Sequence, residues 1–277
     1  MLTEKIRIGL FDSGIGGFSV LFELFKKIPQ AEYFYVADSA YAPYGPKTDE
    51  EILQRSFQVV SYLKEKQVDL IVIACNTATA VSIDSLRKND PDFTYVGVEP
   101  YLKSFQHLEN VDVKKMVVLT TISTGKSERF KRLKNKLDPD GNIAHISLPQ
   151  LANLVEEGAR NGFHTNLKLK VAEEIKDVRR LGFKHAILGC THYPLVAKWI
   201  EELTHAEAVS PCPYVANRVW DLLVNKNEWS ERLKTSSTIE DQKYFYFFET
   251  SADPTTQKWK KELRQEFKDK LPLTKTN

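Results

Sequence analysis

Only three cysteines, at positions 75, 190 and 212, occur in the 277 residues. An odd and sparse set argues against a disulfide framework. None is spaced as Cys-x-x-Cys and no histidine-rich cluster accompanies them, so a structural zinc site is not expected. No apolar run approaches the ~20 residues that cross a bilayer. The opening Met-Leu-Thr-Glu-Lys lacks the apolar core and cleavage site of a secretory leader. A cytoplasmic protein with no membrane partner is expected. Nor is one sign of charge in excess: 39 basic and 37 acidic residues leave a net +2, which gives nucleic-acid binding no support. What is present, 42% hydrophobic and 27% charged residues, is the composition of a globular chain with a sizeable core.

Short β-rich runs alternate with longer amphipathic stretches. Strands are expected at Ile6–Phe11, Tyr33–Ala37, Leu70–Ala74 and Tyr95–Val98, with helices over Ser19–Lys27, Asp49–Lys66 and about Thr77–Lys88. Ile52, Phe57, Val60 and Leu63 are the residues of the second helix suited to burial. The pattern then restarts. Strands are expected at Lys115–Leu119, Ala144–Ser147 and His185–Leu188, and helices over Ser123–Leu137, Leu167–Leu181 and Pro194–Leu203. A late strand, Phe245–Phe248, precedes a final helix over Thr255–Lys270, in which Trp259, Leu263, Phe267 and Leu271 recur every fourth residue. The basic residues among them are read as a solvated face. The order implies an α/β fold: two similar doubly wound domains with mainly parallel sheets facing each other across a cleft. The first domain covers residues 1–98 and is completed by a returning segment, 209–277; the second covers 99–208.

Two cysteines depart from the default of small buried apolar residues. Cys75 follows the strand Leu70–Ala74 and precedes Asn76-Thr77-Ala78-Thr79; Cys190 follows Ala186–Leu188 and precedes Thr191-His192-Tyr193-Pro194. Each thiol thus lies where a strand gives way to a helix, and in open α/β sheets ligands bind beyond the carboxyl ends of strands. Unpaired N–H groups and the dipole at a helix start favour a thiolate there and can hold a substrate carboxylate, with Asn76, Thr77 and Thr191 alongside. Asp12 and Ser13 occupy the first strand tip, and Gly14, Gly16 and Gly17 are expected to let the backbone approach a ligand. This is neither a dinucleotide fingerprint nor a phosphate loop, since Ser19 stands where the third glycine would be and no Gly-Lys-Ser/Thr follows. The bland readings are helix caps for Asp12, Asn76 and Thr191, an ordinary polar turn residue for His192 and a surface aromatic for Tyr44.

Five blocks, in order, resemble the glutamate racemase family: Phe11-Asp-Ser-Gly-Ile-Gly-Gly17, Pro43-Tyr-Gly45, Cys75-Asn-Thr-Ala78, Leu154-Val-Glu156 with Gly158, and Gly189-Cys-Thr-His-Tyr-Pro194. The resemblance implies a cofactor-independent racemase that interconverts L- and D-glutamate and supplies D-glutamate for peptidoglycan, and a homodimer. It implies that Cys75 and Cys190 are the acid/base thiols, that Asp12 assists the Cys75 side, and that His192 and Glu156 assist the Cys190 side. Ser13, Tyr44, Gly45, Asn76, Thr77, Thr121 and Thr191 match substrate-binding positions. Departures occur at Tyr41, where the family often has Arg, at Thr120 in place of Gly, and at Ser210-Pro-Cys212 in place of Asp-Pro-Gly. Cys212 matches no role and is read as structural.

The chemistry suits two opposed thiols. Racemisation takes the α-proton from one face and returns one to the other, so one thiolate acts as base while the opposite thiol acts as acid. Two other readings share these features: a racemase of aspartate or another acidic amino acid, and a non-catalytic binding or regulatory protein on the same fold.

Overall fold

The computed structural model describes residues 5–100, 112–235, 244–251 and 260–263. The first half runs β1 (Arg7–Asp12), α1 (Phe18–Lys27), β2 (Glu32–Ala37), α2 (Asp49–Lys64), β3 (Leu70–Ile73), α3 (Asn76–Asn89) and β4 (Thr94–Gly97). The second runs β5 (Met116–Thr120), α4 (Ile122–Lys126), α5 (Glu128–Leu137), β6 (Ala144–Ser147), α6 (Leu151–Asn161), α7 (Thr165–Glu174), α8 (Lys176–Leu181), β7 (His185–Gly189), α9 (Ala197–Thr204) and β8 (Glu207–Val209). Then come α10 (Cys212–Asn225), α11 (Asn227–Thr235), β9 (Tyr244–Glu249) and β10 (Lys260–Leu263).

Two sheets result, ordered β10-β9-β2-β1-β3-β4 and β6-β5-β7-β8. Every pairing is parallel except β9 with β10. Within each half the first strand lies between the second and the third, so the winding reverses between β1 and β3 and again between β5 and β7. A crevice opens at the carboxyl ends of the strands at each reversal. Asp12 and Cys75 stand at one such place; Thr120 and Cys190 stand at the other.

The strands read as continuous apolar runs because both faces are covered. In β3, Leu70 and Val72 join the core beneath α1 and α10, whereas Ile71 and Ile73 join the core beneath α2 and α3. The returning strand β9 docks through aromatics: Phe247 stacks on Tyr35 at 5.7 Å, and Tyr246 on Phe34 at 4.8 Å. Phe18, Tyr35 and Phe245 are fully buried, each worth about 1.5–3 kcal/mol in area alone. The second sheet packs Val117, Leu119, Ala186 and Leu188 on its larger core, and Met116, Val118 and Ile187 against Phe130 of α5 on its smaller one.

Several elements differ from expectation. The final helix over 255–270 is contradicted at Lys260–Leu263, which is a strand pairing antiparallel with β9, Lys260 opposite Phe247 and Leu263 opposite Tyr244. The open edge of β9 offers unpaired backbone groups, and pairing with them overrides a four-residue apolar spacing; the rest of that stretch lies outside the described residues. The helix expected over 123–137 breaks at Ser127, whose hydroxyl caps α5 by accepting from Phe130 N at 3.1 Å. That over 167–181 divides at Ile175 into α7 and α8. In α2, Val59 is buried and Phe57 only half-buried, while Thr48 and Glu51 form a capping box at its start. Helices α6, α10 and α11 are additional to the sequence expectation.

Candidate active site

A cavity of about 600 Å³ lies where the two sheets' carboxyl ends meet. Ser13, Tyr44, Gly45, Cys75, Asn76, Thr77, Thr121, Glu156, Cys190, Thr191 and His192 all line it. These are eleven of the twelve sequence candidates. The twelfth, Asp12, is wholly buried behind the wall.

Cys75 is the N-cap of α3, and its sulfur accepts from Ala78 N at 3.4 Å. Ser13 Oγ lies 3.9 Å away. The expected thiolate is not what this setting favours. Burial pushes the Cys75 thiol well up, the buried Asp12 carboxyl adds to the effect, and the Ala78 N–H only partly opposes it. Asn76 is held by Nδ2 donating to Val98 O at 3.5 Å, while its buried Oδ1 has no partner among the described residues. A buried amide oxygen with nothing to accept from is costly unless a ligand supplies a donor.

Cys190 leads into a 3-10 turn, Tyr193–Val196, rather than directly into an α-helix. Its company is a side-chain relay. Cys190 Sγ lies 3.7 Å from His192 Nδ1, and His192 Nε2 lies 2.8 Å from Glu156 Oε1. Glu156 Oε1 also accepts from Ile15 N at 2.9 Å. Burial works against the charged ring, yet the bonds to Cys190 and Glu156 outweigh it and hold His192 well above the usual imidazole range. Burial likewise works against the Glu156 carboxylate, and His192 with Ile15 N–H overcomes it, leaving Glu156 below its ordinary value. Both shifts favour the charged forms of the ring and the carboxylate.

Asp12 accepts from Gly14 N at 2.8 Å and from Thr191 Oγ1 at 2.9 Å, so it ties the Cys190 loop to the tip of β1. Burial raises its pKa, partly offset by His192. Gly14 and Gly16 of this turn make room for side chains. A Cβ on Gly14 would stand 1.9 Å from Glu156 Oε1, and one on Gly16 2.3 Å from His192 Nδ1. The close approach they permit is by Glu156 and His192 of the second half.

On the Cys75 side the halves meet through hydroxyls: Thr77 Oγ1 lies 3.2 Å from both Thr121 Oγ1 and Thr124 Oγ1. Arg129 of α5 reaches across to Glu99 and, at 2.8 Å, to Asp84 of α3. Tyr44 is buried, and its hydroxyl donates to Asp38 Oδ2 at 2.6 Å. Arg55 grips the same carboxylate through Nε and Nη2, each at 2.7 Å, and Thr250 donates to its Oδ1 at 2.8 Å. Tyr41, where the family often has Arg, lies over the Arg55 guanidinium at 4.1 Å. Asp38, Arg55, Thr124 and Thr250 were not among the sequence candidates. Asp38 directly follows β2, as Asp12 ends β1, so the strand-tip rule applied to every strand would have found it.

Residues 19–219 match the family model described as Asp/Glu/hydantoin racemase. A glutamate racemase of a Sulfurovum species is 38% identical over 205 residues, 73% of this chain and 76% of its own. Among solved structures, a glutamate racemase isoform of Bacillus anthracis superposes with a TM-score of 0.74 at 25% identity over 90% of both chains. The Escherichia coli glutamate racemase, solved with L-glutamate and an activator, superposes with a TM-score of 0.73 at 25% identity over 91% of both chains. Two parallel sheets in the same arrangement, the matched span and the identity of the relatives agree: the chain belongs to the Asp/Glu/hydantoin racemase family.

Proposed function

We propose that this protein is a glutamate racemase working by two thiols without a cofactor. The observation that carries the reading is that Cys75 and Cys190, one from each half, line a single cavity. One sulfur removes the α-proton as base and the other delivers a proton to the opposite face, so the number of protons on the enzyme is unchanged over a turnover. The charge that develops moves onto the substrate's α-carboxylate, where N–H groups at the start of α3 and the hydroxyls of Ser13, Thr77, Thr121 and Thr191 stabilise it. The unpartnered Oδ1 of Asn76 suits the substrate ammonium. His192 passes a proton to and from Cys190, with Glu156 holding the ring, and Asp12 lies within electrostatic reach of Cys75 and His192. Tyr44 and Gly45 shape the wall for the distal carboxylate.

The two halves are read as two domains, 1–98 completed by 209–277 and 99–208. The cellular setting proposed is the cytoplasm, with D-glutamate passing to peptidoglycan, and the assembly a homodimer. Among the described residues no helix is long and apolar enough to cross a membrane. The test is racemisation of D- and L-glutamate, against D- and L-aspartate, followed by chiral chromatography with no cofactor added. Glutamate turnover in both directions is expected. Turnover of aspartate alone transfers the reading to a sister substrate, and no α-proton exchange of L-glutamate in D₂O at high enzyme concentration leaves only a binding role.

A further inference from the structure

We propose that Ser19 is a positioning residue for the second thiol, an inference that rests on the racemase reading above. Ser19 lies in the first turn of α1, in the first half, and is 4% exposed. Its hydroxyl reaches Thr191 O at 2.9 Å, 172 residues away, and Gly16 O at 2.8 Å within its own turn. Its oxygen in turn accepts from the Cys212 thiol at 3.2 Å. A hydroxyl has one proton to give. With a lone pair taken by Cys212, that proton serves Thr191 O, since Gly16 O already accepts from Ser19 N at 3.0 Å. Burial raises the Cys212 thiol to about 11, so it keeps the proton it donates near neutral pH.

Thr191 stands between Cys190 and His192 and is 1% exposed. A buried carbonyl needs a donor, and Ser19 supplies it. Thr191 is thus fastened to the first half at both ends: its side chain to Asp12 and its carbonyl to Ser19. The flanking peptide planes set where Cys190 Sγ and His192 Nδ1 stand, and at 3.7 Å their contact is already long. Removing the Ser19 hydroxyl leaves a buried carbonyl unpaired and the Thr191 peptide free to turn. Cys75 is held by other bonds, to Ala78 N and beside Ser13. The defect therefore falls on one proton transfer and not on both.

The equilibrium between enantiomers fixes the ratio of kcat/KM in the two directions, so rates alone cannot reveal such a one-sided defect. The α-deuterium isotope effect can. Slowing the Cys190 step raises the isotope effect on kcat/KM for the enantiomer that Cys190 deprotonates and lowers it for the other. Ser19→Ala is expected to reduce kcat/KM about tenfold, the scale of one lost buried hydrogen bond. It is also expected to skew the two isotope effects in the same sense as His192→Asn, which marks the Cys190 direction. Ser19→Cys, close in shape but a weaker donor, is expected to show a smaller skew of the same sense and decides the matter if Ser19→Ala does not fold. Isotope effects that stay as in the wild type, or move alike for both enantiomers with only a lower Tm, overturn the proposal. Absence of glutamate racemisation by the wild type overturns the racemase reading instead.

Discussion

The two thiols occupy the same place in two similarly wound sheets, yet they are furnished differently. Cys75 caps an α-helix and meets a backbone N–H and a serine hydroxyl. Cys190 opens onto a 3-10 turn and meets the His192 ring, which Glu156 backs. A shared fold position fixes where a sulfur stands; the residues after it decide what it meets. Under the two-thiol proposal the Cys190 side has a proton store of its own, whereas burial and Asp12 act on the Cys75 side.

The sharpest way to break that contrast is to remove each sulfur. Cys75→Ala and Cys190→Ala are each expected to lose about 10²–10⁴ in kcat/KM, the scale of a missing acid or base. Each variant is expected to retain α-proton exchange in D₂O, read by NMR, on the face served by the remaining sulfur. Full racemisation by either single variant would end the two-thiol reading. Next in size, His192→Asn is expected to cost about 10²-fold and to skew the isotope effects toward one enantiomer. A symmetric loss would mean that the ring serves both sulfurs equally.

Glu156→Gln sharpens the comparison through pH. Glu156 helps hold the His192 proton, so removing its charge lowers the imidazolium pKa. The limb of the kcat/KM profile that reports His192 is expected to move to lower pH, with a loss of about tenfold near neutrality. An unmoved limb would uncouple the two residues. Stability carries the same signature. Glu156 is shifted down from 4.5 and His192 up from 6.5, so the pair stabilises most between those ordinary values. Its contribution fades as acid protonates Glu156, or as pH rises through the raised His192 pKa. The smallest effect belongs to the Cys75-side seam. Arg129→Ala removes partly exposed ion pairs to Glu99 and Asp84, and a Tm decrease of about 2–4 °C by calorimetry is expected, corresponding to about 1 kcal/mol.

Much of this was legible in the chain itself. Leu70–Ile73 announces a doubly covered strand, and the strand-tip position of Cys75 and Cys190 marks the site from local pattern alone. What escaped was decided at long range. Gly14 makes room for a carboxylate 142 residues away, and Asp38 receives Thr250 from the returning segment. No local window holds both partners. The strand at Lys260–Leu263 escaped for a related reason, since its apolar spacing suits a helix and only the open edge of β9 turns it into a strand. Helix α6, which carries Glu156, was visible as a matching block but not as a helix.

The parallel pairing of β9 with β2 has a consequence for biosynthesis. The backbone edge of residues 32–37 has to wait for roughly two hundred further residues before its partner leaves the ribosome, about 10–40 s at ordinary elongation rates. During that interval a nascent chain presents an unpaired edge to its neighbours on the polysome, a template for mispairing that a chaperone is suited to shield. Because Phe247 and Glu249 also line the cavity, its wall is complete only once this returning strand has been made and paired.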